Sequence, residues 1–289
     1  MLQPMTRAGR LIDIGDCELY VSVLGEGFPV LILHGGPGLD HHEFGEYLDP
    51  LADRYQLIFV DQRASGRSSR PDSATWTLSR MAADVPALAR AMGLPRFAVL
   101  GHSYGAFVAL QYAVDFPGDT GPVVVSGGLA SSRYLENVAV HLATFEPREL
   151  REQVAQSWER ESTVATPEDF AQLMHDQLPF HFADPRDPRI EEYERNTSET
   201  VYSPEILRVF AEAGYGGIEV EHRLSEIARP VLVLAGRHDR TCVPEGAQAI
   251  ADGIPGAQLV VFEDSAHMTF VEEQPLYVRI VRDFLDRTT

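Results

Sequence analysis

A serine with glycine two residues to either side, set between an apolar run and a helical pattern, constrains this chain more than any other feature. The residues are Gly101-His102-Ser103-Tyr104-Gly105, directly after the β-rich run 97–100 and at the head of the helical stretch 103–116. Both glycines are required because so sharp a turn leaves no room for a Cβ against its neighbours, and the turn lifts the serine hydroxyl out of the sheet. Such a unit presupposes a parallel sheet, and the rest of the chain is patterned to build one.

Short β-rich runs recur at 11–14, 18–24, 30–33, 57–60, 97–100, 123–125, 231–234 and 259–262. The first two, joined by Gly15-Asp16, read as a hairpin; the later runs are apolar without alternation, as expected of strands buried on both faces beneath crossover helices. Within 79–92, Met81, Val85, Leu88 and Met92 recur at helical spacing and Gly93 follows where the helix stops. The stretch 275–284 behaves in the same way. Between 125 and 231 the rhythm breaks into charged, helix-like sequence, interrupted around Pro179, Pro185 and Pro188, where the prolines forbid a continuing helix. The expected architecture is a mostly parallel central sheet flanked by helices. Residues 1–129 and 227–289 form its catalytic domain, and 130–226 form an inserted helical cap.

A serine hydroxyl is a poor nucleophile until a base accepts its proton and an acid holds that base in the right tautomer. Asp239 follows the run 231–234 and His267 follows the run 259–262, so both fall on loops at the carboxyl edge of the sheet, where Ser103 also lies. The competing groups fit less well. His238 would have to fold back past Asp239, and His34, His41, His42 and His102 belong to earlier loops. Asp264 shares the His267 loop and Asp61 lies on an earlier one. The loop after 123–125, a second place for the acid, reads Ser126-Gly127-Gly128. An oxyanion would meet the backbone N–H of Tyr104 and a second N–H from His34-Gly35-Gly36-Pro37-Gly38, assigned to Gly36.

Several chemistries are excluded. All 24 basic residues are arginine, so Schiff-base, pyridoxal phosphate and serine–lysine mechanisms have no lysine to use. A net charge of −19 repels polyphosphate, and nucleic acid is not an expected partner. Cys17 and Cys242 are too few for a thiolate zinc site or a disulfide framework. His42-Glu43 begins a zinc-protease pattern, but position 46 is Glu46, and no glycine fingerprint for a dinucleotide follows the first strand. No metal and no cofactor is therefore expected. With no run of about 18 apolar residues and no signal-like stretch in residues 1–10, a cytoplasmic protein without membrane contact is expected. The oligomeric state is not legible.

Together, His34-Gly35-Gly36-Pro37-Gly38, Asp61-Gln62-Arg63-Ala64-Ser65-Gly66-Arg67-Ser68 and the Ser103 elbow resemble the proline iminopeptidase (prolyl aminopeptidase) family of α/β-hydrolases. The resemblance spans nearly the whole chain. It implies the α/β-hydrolase fold and release of an N-terminal residue, often proline, from short peptides or amino-acid amides, with the cap closing over the free amine. The chain departs from the family pattern at Ala64, which stands for a glycine, and at His102 in the elbow. It departs again at Arg240, which follows the acid where some members place a glutamate that helps to hold the substrate ammonium. Cap acids such as Glu159, Glu205, Glu212 and Glu219 could take over that task, with Glu212 the first choice for test. Trp158 reads as cap core. Two other readings stay open: a carboxylesterase or lactonase using the same triad, favoured by Arg240, and a non-catalytic receptor, which would have no need of a triad and oxyanion donors.

Overall fold

The computed structural model describes residues 7–289. Eight strands among them form one sheet: β1 (Ala8–Asp13), β2 (Glu18–Leu24), β3 (Phe28–Leu33), β4 (Tyr55–Val60), β5 (Ala98–His102), β6 (Val123–Ser126), β7 (Val231–Gly236) and β8 (Gln258–Phe262). Their order across the sheet is β1-β2-β4-β3-β5-β6-β7-β8. The pairs β1/β2 and β2/β4 are antiparallel and every other pair is parallel. Strand β1 begins before the apolar run at 11–14 because its ladder with β2 continues back to Ala8↔Val23.

The absence of alternation in the inner strands follows from burial on two sides. Successive residues of a strand face opposite ways, so Leu31 and Leu33 join one core while Val30 and Ile32 join the other. Helices α1 (Leu78–Ala91), α2 (Tyr104–Asp115) and α8 (Pro244–Gly253) are the crossovers that follow β4, β5 and β7, and they pack on the first face. Helices α9 (Thr269–Glu272) and α10 (Gln274–Thr288) cover the second face, α10 with Val281, Phe284 and Leu285. Strand β8 differs from the expected doubly buried strand. Leu259, Val260 and Val261 are only half-buried, because β8 lies at the sheet edge with a partner on one side alone.

Between β6 and β7 every described element is helical: α3 (Glu136–Thr144), α4 (Arg148–Arg160), α5 (Pro167–His181), α6 (Arg189–Asn196) and α7 (Pro204–Glu212), with short 3-10 turns. The two ends of this insert meet, since Ser131 bridges Glu219 and the Val220 N–H donates to the Ala130 carbonyl at 2.9 Å. Contrary to the break expected at Pro179, α5 runs through that residue to His181. A proline in the last turn forfeits one backbone hydrogen bond, while its neighbours Leu178 and Phe180 are buried in separate apolar clusters.

Candidate active site

The elbow is built where β5 ends. Ser103 has φ 54° and ψ −120°, a conformation that L-residues rarely adopt and that persists only when the surroundings enforce it. The enforcement is visible on both sides. A Cβ on Gly101 would lie 2.1 Å from the Gly105 carbonyl oxygen, and one on Gly105 would lie 2.2 Å from the Leu33 carbonyl oxygen. Backbone thus packs on backbone on either side of the serine, and α2 starts at the next residue, Tyr104.

Asp239 and His267 meet across the ends of β7 and β8. His267 Nδ1 is 2.7 Å from Asp239 Oδ2, and the other oxygen, Oδ1, accepts the N–H groups of Thr241 at 2.8 Å and Cys242 at 2.9 Å. Both side chains are buried. Burial works against a charged His267 imidazole, but the adjacent Asp239 carboxylate outweighs it and raises the pKa above the ordinary histidine value. The Ser126-Gly127-Gly128 loop that could have carried an acid makes room for the His267 ring. Gly127 has φ +57°, and a Cβ there would press within 3.2 Å of His267 Cε1.

The competing residues are engaged elsewhere or face solvent. His34 Nε2 accepts the Gln62 N–H at 3.0 Å, His41 Nδ1 pairs with Asp61 at 2.6 Å, and His42 Nδ1 lies 2.9 Å from Asp40. His238 and Asp264 are exposed. His102 is fully buried, with its ring 4.9 Å from that of His267 and Nε2 unpaired, and burial pulls its pKa well below the usual value. Asp40, His41 and His42 do bring ligand-type atoms within 4.8 Å of one another. That proximity was not evident from their spacing. Arg67 Nη1 lies 3.4 Å from Asp40 in the same cluster, where a cation would be repelled.

Ser103, Tyr104, Gly36 and His267 line a cavity that also receives side chains from the insert. Two carboxyls face it. Glu43, which follows the glycine-rich loop, accepts the Gly35 N–H at 2.5 Å, and burial pushes its pKa up to about 7 against that hydrogen bond. A Cβ on Gly35 would sit 2.6 Å from Glu43 Oε1 and 3.0 Å from Ser103 Cβ, so acid and serine are neighbours across this glycine. Glu161, at the end of α4, accepts Gln177 Nε2–H at 2.7 Å and the Tyr215 hydroxyl; burial again pushes its pKa up to about 7. From α5, His181 faces the same space, with its ring 5.2 Å from that of His267 and its pKa held well below the usual value by burial.

The cap acids named from sequence lie elsewhere. Glu159 and Glu212 are exposed, Glu205 pairs with Arg70, and Glu219 accepts hydrogen bonds from Ser131 and Ser132. None of the four lines the cavity. Glu161 lines the cavity and Glu212 does not: α7 turns its apolar residues Ile206, Leu207 and Phe210 inward and leaves its terminal glutamate to water. Trp158 packs edge-on against Phe180, as cap core should, and lines the cavity as well. Glu43, Glu161 and His181 were missed because an acid or imidazole in an amphipathic stretch carries no local mark of burial. The one usable signal was Glu43's place just beyond the glycine-rich loop.

The chain as a whole has relatives among known proteins. The sequence signature of the alpha/beta hydrolase fold matches residues 29–274, and the chain belongs to that family of hydrolases. Within the family it is similar to proline iminopeptidases. That of Saccharolobus solfataricus is 29% identical, the match covering 96% of this chain and 91% of the relative. That of Heyndrickxia coagulans is 28% identical over 91% of this chain and 92% of its own. Among solved structures, the proline iminopeptidase of Mycobacterium smegmatis superposes with a TM-score of 0.76 at 26% identity, covering 97% of this chain and 98% of that one. An alpha/beta fold family hydrolase from Bacillus anthracis shares the fold, with a TM-score of 0.80 at 21% identity over 98% and 99% of the two chains. No described helix is long and apolar enough to cross a membrane.

Proposed function

We propose that this chain is a serine aminopeptidase of the proline iminopeptidase kind, acting on short peptides or amino-acid amides through an acyl-enzyme on Ser103. Residues 130–226 serve as the cap over a catalytic domain formed by 1–129 and 227–289. In acylation His267 takes the Ser103 proton as Oγ bonds to the scissile carbonyl carbon, and the Gly36 and Tyr104 N–H groups receive the oxyanion. His267 then gives that proton to the leaving amine as the C–N bond breaks. Water, deprotonated by the same imidazole, releases the free amino acid and restores Ser103.

The observation that carries the substrate reading is the pair of buried carboxyls in the cavity. A substrate ammonium desolvated there must be paired, or it costs several kcal/mol. The α-nitrogen of an aminoacyl group is only two bonds from the carbon under attack, so its counterion must lie close to Ser103. Glu43, across Gly35 from that serine, meets this condition, and Glu161 supplies a second carboxyl from the insert. No arginine is among the described residues that line the cavity. The second reading, a carboxylesterase or lactonase with the same triad, is favoured by the apolar remainder of the wall, which includes Leu39, Phe107, Leu173 and Met174.

Prolyl p-nitroanilide, its N-acetyl analogue and p-nitrophenyl acetate separate the two. The aminopeptidase reading expects hydrolysis of the first, near-total loss on acetylation, and loss of all activity in Ser103→Ala on the order of 10⁴-fold or more. Equal cleavage of free and blocked anilides, or activity confined to the ester, would favour the esterase.

A further inference from the structure

The end of α5 is tied to both loops that carry the acid and the base. Arg240, the residue after Asp239, donates from Nη1 to the carbonyls of Phe180 at 3.0 Å and Phe182 at 2.7 Å, and from Nη2 to that of Ala183 at 3.2 Å. Its guanidinium carbon lies 5.3 Å from the centroid of the Phe145 ring and 6.0 Å from that of Phe180. From the other side Glu272 accepts the Ala183 N–H on one oxygen and the Ala266 N–H on the other, each at 2.8 Å. Between them the His267 N–H donates to the His181 carbonyl at 3.0 Å.

This arrangement answers a physical demand. The last carbonyls of a helix have no partner within it, and a cation is favoured there by the helix dipole. A planar, preorganised fork of N–H donors meets three neighbouring carbonyls with less loss of freedom than the three rotating donors of an ammonium on a flexible stem. The aromatic faces of Phe145 and Phe180 hold the fork in place. Arg240 therefore spends its charge on the insert backbone and does not line the cavity, although its neighbour in sequence is the acid that holds His267.

We propose that Arg240 is a positioning residue that latches the 180–183 turn of the insert onto the Asp239 loop and so fixes the cavity wall, His181 included, that faces His267. The latch acts on substrates that reach that wall and leaves attack by Ser103 on small esters unchanged. It rests on the reading of Ser103 as the nucleophile and not on an amine substrate, so its test uses esters alone.

The experiment compares p-nitrophenyl acetate with p-nitrophenyl hexanoate in wild type, Arg240→Met and Arg240→Lys, alongside amide hydrogen exchange of the whole chain. In Arg240→Met, kcat/KM for hexanoate should fall by about tenfold, chiefly through KM, while that for acetate stays within about twofold. Arg240→Lys should recover about threefold of the loss. Exchange at 180–183 should quicken in Arg240→Met, with β5 and α2 unaltered. Arg240→Gln, which keeps one donor group, gives the same readout where the methionine variant is too unstable to purify. Equal losses on the two esters, unchanged hexanoate kinetics, or unchanged exchange at 180–183 would each overturn the latch. A serine-directed organophosphonate that labels wild type elsewhere than Ser103 would overturn the nucleophile instead, and the exchange result would then decide the latch alone.

Discussion

Replacing Glu161 by glutamine should change how the stability of this protein depends on pH. Burial pushes the Glu161 carboxyl up to about 7, from the value of 4.5 for a free glutamate. Between those values the folded chain keeps a proton that the unfolded chain has released, so stability falls as pH rises through this window and is level outside it. An interval of about 2.5 pH units corresponds to a loss on the order of 3 kcal/mol. Glutamine keeps the shape but does not titrate. Its carboxamide, like the protonated carboxyl it replaces, offers one acceptor oxygen and one donor group, and the Tyr215 hydroxyl and the Gln177 side chain can meet either. Glu161→Gln should therefore match wild type to within about 1 kcal/mol at pH 5 and be more stable by about 3 kcal/mol at pH 8. Urea unfolding followed by circular dichroism across that range measures the divergence. Glu43 and Glu272, also pushed up to about 7 by burial, bend both curves alike and drop out of the difference. Parallel stability curves for the two proteins would refute the reasoning.

Because Asp239 raises the His267 pKa against the effect of burial, and the base must be neutral to act, activity should be lost as pH falls through a value above that of a free histidine. Asp239→Asn should lower kcat by about 10⁴, and an acid limb of kcat/KM below pH 6, roughly, in wild type would contradict the pairing. Gly101→Ala places a Cβ 2.1 Å from the Gly105 carbonyl oxygen, where backbone meets backbone and neither can yield. It should destabilise the fold by about 2 kcal/mol or more, and a calorimetric midpoint within about one degree of wild type would count against the steric account of the elbow.

What the amino-acid sequence determined alone was whatever depends on neighbours in the chain. The doubly apolar runs marked β3 to β7, the glycines around Ser103 marked the elbow, and the ends of β7 and β8 marked the loops of Asp239 and His267. Those are local properties, since strand ends and forbidden Cβ positions are written in consecutive residues. The tertiary structure alone decided which acids enter the cavity. Glu161 and Glu212 both close amphipathic helical stretches, yet one is buried against Gln177 and Tyr215 while the other stands in water. It also turned Arg240 from the substrate side to the carbonyls of Phe180, Phe182 and Ala183. Burial and the direction of a long side chain depend on which distant segment packs against it, and no window of sequence contains that partner.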